Sequence, residues 1–175
     1  GWTVERLEWA DPDNQTIKRK LNPSTGWRYL QGKGIQRGHL IGGCFEVLDS
    51  LRCTHFLPTP EQWEKAILFL ETSEGAPSPE MVKFGLSTFA SSGVLEKLSG
   101  ILFGHPGGQV PPEKFFEYDQ VLLKVVRDEA GLELPIITNM DFGHTDPMMT
   151  LPYGVQAEID CDQQQFRIIE NAVVD

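Results

Sequence analysis

The chain has 175 residues, 40% of them hydrophobic and 23% charged, with a formal net charge of −10. This is the composition of a soluble globular protein, long enough to bury a sizeable core without disulfide or metal staples. Excess acid, with no stretch rich in Lys or Arg, argues against nucleic acid and against an anionic membrane surface as partners. Cys44, Cys53 and Cys161 show no CxxC spacing, and their odd number fits a reduced, cytoplasmic chain better than a disulfide framework. No apolar run approaches the roughly 18 residues that span a bilayer, and no signal-peptide pattern opens the sequence. It begins Gly1-Trp2 without Met, as a processed end or a piece of a longer protein would.

In chain order, residues 3–9 roughly alternate and predict a strand. Residues 10–25 are polar and rich in Asp, Asn and Pro, and predict a long mobile loop of the kind used as lids or binding loops. Two strands follow, 27–30 and 34–41, joined by the Gly32-Lys33-Gly34 turn. Gly42-Gly43 is expected to break the chain before a short helix over 44–51. Ala66–Leu70 is a buried strand by its length and flanks. Ser78-Pro79-Glu80 is a helix start, because Ser accepts from orphan amides and Pro fits the first helical position. That helix carries Val82, Leu86 and Phe89 on one face and ends near Gly93.

Gly100–Phe103 is a further buried strand. Pro112 opens a long helix with Phe115, Tyr118, Leu122 and Val126 at helical spacing, and Gly131 closes it. Pro135–Thr138 is a third buried strand, and 153–161 with 165–170 form a C-terminal hairpin around Asp162-Gln163-Gln164. The middle of the chain thus reads strand, helix, strand, helix, strand, which favours a parallel sheet with right-handed crossovers. Antiparallel strands flank it. The expected fold is α/β, three layers with a mixed sheet.

Ligands bind beyond the carboxyl ends of parallel strands, and two titratable residues lie there. Glu71 closes the run from Ile67 to Leu70. His144 sits in the polar loop Asp141-Phe142-Gly143-His144-Thr145-Asp146-Pro147, after the Pro135–Thr138 strand. A carboxylate orienting a histidine is two thirds of a hydrolytic triad. The bland alternatives are a solvated strand-end charge and a hydrogen-bonded loop histidine. No serine sits in a Gly-x-Ser-x-Gly elbow, and Ser91-Ser92-Gly93 reads as a helix cap. Asp141, His144 and Asp146 offer oxygen and imidazole ligands for a metal, but their spacing matches no strong metal signature. His39, His55 and His105 read as structural or surface residues. No phosphate-binding glycine loop is present.

Gly38-His39-Leu40-Ile41-Gly42-Gly43-Cys44, the run Ile67 to Glu74, Gly100 to Gly104 and the run Asn139 to Pro152 together resemble the LD-carboxypeptidase family of serine peptidases, from about Trp27 to the C-terminus. The segments Glu71 to Glu74, Pro77 to Glu80 and Asp141 to Pro147 look most like its microcin-immunity branch. The resemblance implies a Ser-Glu-His triad in which Glu71 and His144 are the catalytic glutamate and histidine. It also implies a nucleophilic serine in an N-terminal domain that nothing here matches, and no cofactor or resident metal.

On this reading residues 27–175 are the C-terminal, swivelling β/β/α domain, and 1–26 are an interdomain segment and mobile loop at the active site. The substrate is a small peptide or a peptidyl- or aminoacyl-nucleotide conjugate of the microcin type, or a cell-wall L,D-tetrapeptide. The remaining partner is the missing N-terminal domain, and a homodimer is a further expectation. Trp27 and Cys44 are the expected substrate-binding residues, Cys44 standing where some relatives have asparagine. Trp9 and Trp27 could stack on an aromatic substrate group. Two alternatives differ in class: a non-catalytic binding or dimerisation module, and a metal-dependent hydrolase.

Overall fold

A computed structural model describes residues 1–173, so the last two residues of the 27–175 span lie outside it. Its centre is a mixed seven-stranded curled sheet in the order β1-β5-β4-β3-β2-β6-β7. The strands are β1 (Arg28–Gln31), β2 (Ile35–Cys44), β3 (Ile67–Glu71), β4 (Gly100–Gly104), β5 (Ile136–Met140), β6 (Gln156–Asp160) and β7 (Gln165–Ile168). β2, β3, β4 and β5 pair in parallel, with α1 (Phe45–Ser50), α2 (Pro79–Ser91) and α3 (Phe115–Leu123) as crossovers. β1 closes one side antiparallel to β5, and β6–β7 close the other against β2. The expected parallel middle with antiparallel flanks is therefore present.

Each central strand serves two cores because successive side chains point to opposite faces. Leu68, Leu70, Ile101, Phe103 and Ile136 pack under the helices with Val82, Leu86, Phe89, Tyr118 and Leu122. Leu40, Ile67, Leu102 and Ile137 pack on the other face with Ala157 and Ile159 of β6. Helices thus cover one face and the curled hairpin the other. The residues expected on one face of each helix are all buried, Phe115 and Val126 included. Ser78 caps α2 as expected, its Oγ accepting from the Met81 amide at 3.3 Å.

Four expectations need correction. Residues 3–9 form no strand; the first residues make only single bridges, Trp2 to Asn22 and Thr3 to Asp146. Their alternation serves anchoring, since Trp2 and Thr3 are buried and the rest largely exposed. Second, Gly42-Gly43 does not break the chain but lies within β2. A Cβ on Gly42 would stand 1.8 Å from the Phe69 carbonyl oxygen, so glycine here permits close strand approach rather than a turn.

Third, β1 and β2 are consecutive but do not pair with each other; they lie far apart in the sheet. Fourth, the long helix from Pro112 changes type along its length. It opens as a 3₁₀ turn over Pro112–Lys114, is α-helical over Phe115–Leu123 and widens to a π-helical stretch over Lys124–Glu129.

β2 joins the two parts of the fold. Its first half, Ile35–His39, pairs with β6, and its second half, Leu40–Cys44, pairs with β3. A strand that serves two sheets must pass close to its neighbours where it changes partner. Gly38 provides that room, since a Cβ there would lie 1.9 Å from the Lys65 carbonyl oxygen.

Residues 10–25 carry a 3₁₀ turn, Pro12–Thr16, and are otherwise irregular. They are tied down at their far end. The Asn139 side-chain amide donates to the Gly26 carbonyl at 2.6 Å and to Thr25 Oγ1 at 3.2 Å. Arg19 pairs with Asp146. These contacts count against a segment displaced as a whole from the body.

Candidate active site

The parallel strands end at one edge of the sheet, and the loops after β3, β4 and β5 meet there. β3 delivers Glu71 as its last residue, with Cys44 of β2 its register partner. β5 ends irregularly. Asn139 has φ +60, in the left-handed region that asparagine tolerates better than most residues, and pairing with β4 shifts between Leu102 and Gly104. Such irregularities re-aim a strand end. Here the chain turns through Phe142 and Gly143 and sets His144 against Glu71.

His144 Nδ1 lies 2.6 Å from Glu71 Oε2. The Glu71 side chain is 11% exposed and that of His144 32%, so the carboxylate is sheltered while the ring reaches the surface. Gly143 makes this approach possible. Its φ is +102, and a Cβ would stand 2.6 Å from Glu71 Cβ and 2.9 Å from Glu71 Oε2. Only glycine meets both conditions.

The other ring nitrogen also faces a carboxylate: His144 Nε2 is 3.2 Å from Oε2 of the largely exposed Glu74. Both contacts are hydrogen bonds only when both nitrogens carry a proton. A hydroxyl taking the place of Glu74 would meet Nε2 as an acceptor, with Nδ1–H still held by Glu71.

The loop after β3 is braced from two sides. Glu46, at the start of α1, accepts from the Ser73 amide at 3.2 Å and from the Ser73 hydroxyl, while Cys44 Sγ donates to it at 3.4 Å. Burial works against the Glu46 charge, yet these hydrogen bonds and its own backbone amide hold it below its ordinary value. On the other side, the Gly107 amide donates to Thr72 Oγ1 at 2.8 Å. A Cβ on Gly107 would lie 2.3 Å from the Thr72 carbonyl oxygen, so the loop after β4 packs directly against the one that follows Glu71.

The Cys44 thiol is pushed up to about 11, by burial first and then by the charges of Glu71 and Glu46, against an opposing contribution from the Val47 amide. It is therefore a neutral thiol beside the pair. Trp27 is tied to the loop that carries His144, its Nε1 donating to Asp141 Oδ2 at 2.8 Å, while its ring meets Phe166 edge-on at 6.4 Å. Trp9 is 84% exposed on the N-terminal segment.

The metal alternative does not assemble. Asp141 accepts from Trp27 and Asp146 pairs with Arg19, so the two aspartates serve other partners than His144. Among the described residues no group of three or more His, Cys, Asp or Glu is placed to hold a metal ion. Of the remaining histidines, His39 Nε2 lies 2.7 Å from the Gln62 carbonyl, and His105 is buried and stacked on Trp2 at 4.8 Å. Burial lowers the His105 value, with the Asp141 charge opposing.

Sequence reasoning missed the roles of Glu46 and Glu74. Glu74 carried a faint signal, three residues after Glu71 in the same polar loop. Glu46 carried none, because its partner Ser73 is 27 residues away.

A domain whose parallel strands carry a sheltered Glu–His pair at their carboxyl edge, between helices on one side and a curled hairpin on the other, has a counterpart among hydrolases. Residues 37–159 match the LD-carboxypeptidase C-terminal domain, and the chain belongs to that family. The Microcin C7 self-immunity protein MccF of Escherichia coli is 29% identical over 170 residues, covering 97% of this chain and 46% of that protein.

Among solved structures, MccF in complex with aspartyl sulfamoyl adenosine aligns with a TM-score of 0.78 at 29% identity, over 99% of this chain and 49% of that one. An MccF-like protein from Streptococcus pneumoniae in complex with AMP aligns with a TM-score of 0.76 at 30% identity, over 97% and 51%. The chain thus spans about half the length of the relatives it matches. No helix among the described residues is long and apolar enough to cross a membrane.

Proposed function

We propose that residues 27–175 are the C-terminal domain, and 1–26 the interdomain segment, of a cytoplasmic serine-type hydrolase that cleaves an amide in a small peptide conjugate. The observation that carries this reading is the 2.6 Å contact between Glu71 and His144 Nδ1, with His144 also lining a cleft of about 590 Å³. Family membership supports a peptidase. The three free cysteines are consistent with a reducing compartment.

In this mechanism the serine comes from the N-terminal domain, outside this chain. Glu71 holds Nδ1–H and so fixes the tautomer that leaves Nε2 as base. His144 takes the serine proton as the hydroxyl attacks the amide carbonyl, and returns it to the leaving amine. Glu71 then stabilises the imidazolium formed between the two steps. Glu74 leaves Nε2 when the serine approaches, which its exposure permits. Cys44, opposite Glu71 across β2 and β3, and Trp27, tied to the loop that carries His144, are the proposed substrate contacts.

The substrate class we favour is an aminoacyl or peptidyl nucleotide, because relatives have been solved with AMP and with aspartyl sulfamoyl adenosine. A cell-wall L,D-tetrapeptide is the competing substrate, and assays of the full-length protein on both separate them. On the better one, Glu71→Gln should lower kcat/KM by on the order of 10³- to 10⁴-fold and His144→Ala by at least as much. Unchanged turnover in Glu71→Gln would sink the triad and favour a binding module.

A further inference from the structure

We propose that Arg6 and Lys20 form a subsite for an anionic oxygen group of the ligand, a phosphate or a carboxylate, in the cleft that His144 lines. The cleft measures about 590 Å³, and Arg6, Lys20, Glu5, Glu74 and Gln109 line it together with His144. Among the described residues Arg6 and Lys20 make no ion pair, whereas Arg19 and Arg28 are paired with Asp146 and Asp119.

In this structure each carboxylate of the cleft has a partner other than Arg6 and the Lys20 ammonium. Glu74 lies on His144, and Glu5 Oε2 accepts from the Lys20 backbone amide at 3.0 Å. Arg6 and Lys20 offset the two carboxylates that share the lining, so on a chain of net charge −10 this cleft is a place where the repulsion of an anion is relieved and two side-chain cations can donate to it.

The wall that carries them is anchored. Trp2 and Asn22 exchange backbone hydrogen bonds of 3.0 and 2.7 Å, and Thr3 and Asp146 exchange two of 2.8 Å. The Glu5 amide donates to Thr3 Oγ1 at 3.0 Å. Arg6 lies three residues after Thr3 and Lys20 two before Asn22, so both cations are close in sequence to anchored backbone, and both line the cleft that His144 lines.

The subsite rests on the hydrolase reading only in that the anion would belong to a substrate; its test reads binding, not turnover. Calorimetry on the full-length protein compares AMP with adenosine, and alanyl-alanine with its C-terminal amide. At least one anionic probe should bind about tenfold or more tightly than its neutral partner, as charge-assisted contacts imply. The phosphate pair responding alone identifies a nucleotide ligand, and the carboxylate pair alone a peptide terminus.

The double variant Arg6→Gln with Lys20→Gln should abolish the preference, and Lys18→Gln, outside the cleft, should keep it. Thermal unfolding of each variant confirms folding, and the charge-keeping pair Arg6→Lys with Lys20→Arg should retain the preference. Equal binding of charged and neutral probes, or a preference that survives the double variant, overturns the proposal. A hydrolase assay that fails leaves either result readable.

Discussion

Gly143 shows how one residue without a side chain can decide a site. With φ +102 and no room for a Cβ beside Glu71, its replacement by Ala should cost about 1–3 kcal/mol in backbone strain alone. Any displacement of His144 by an ångström would add a loss of about 10²-fold in turnover. Chemical denaturation of the chain and kinetics of the full-length protein measure the two effects separately.

Cys44 is the chemical reporter of the same site. With its thiol pushed up to about 11, alkylation by iodoacetamide should keep rising as the pH climbs past 9, where an ordinary thiol near 8.5 levels off. Peptide mapping by mass spectrometry follows it. A plateau near pH 9 would mean that burial and the two carboxylates do not act on this sulfur. Glu71 and His144 were legible as residues because each follows an apolar run. Their contact was not, since 73 positions separate them.

At the scale of elements, the loops after β3, β4 and β5 form one packed unit, and His105 lies at its base. Above the ordinary histidine value the ring is neutral in both the folded and unfolded chain and adds nothing to pH dependence. As pH falls below about 6.5 the unfolded chain takes up a proton that the buried ring resists, so stability is lost on the way down through the lowered folded value. The melting temperature should therefore drop as pH falls below about 6.5, and His105→Phe should remove part of that drop. An identical pH profile in the variant would show that His105 titrates freely.

Strand and helix order were readable because apolar runs and helical spacing report burial directly. The continuity of β2 through Gly42-Gly43 was not, because paired glycines signal a turn or a close approach equally well.

For the whole molecule, the N-terminal segment is the part proposed to link this domain to another. Trp2 is buried, packed on His105 and on Phe115 at 5.4 Å, while Trp9 and much of the segment between the anchors are exposed. Among the described residues it is Glu74, not a serine, that meets His144 Nε2, so the isolated chain should show no turnover of either candidate substrate. The full-length protein should be active. A robust rate from the purified chain, lost in His144→Ala, would mean that the nucleophile lies within these residues. Its absence, together with activity in the longer protein, supports a site completed between two domains.

The amino-acid order alone settled what is local. It set the apolar runs that become β3, β4 and β5, the Ser-Pro start of α2, the parallel middle with antiparallel flanks, and the candidacy of Glu71 and His144. Each of these is written in residues a few positions apart, where periodicity and capping act. Tertiary structure decided the rest: β2 shared between two pairing partners, Glu46 bracing Ser73, Glu74 on the free face of His144, and Asp141 and Asp146 drawn away to Trp27 and Arg19. Most of these are contacts between residues tens of positions apart. They form because burying both faces of one sheet brings its strand ends together, and no local pattern encodes which loops will meet there.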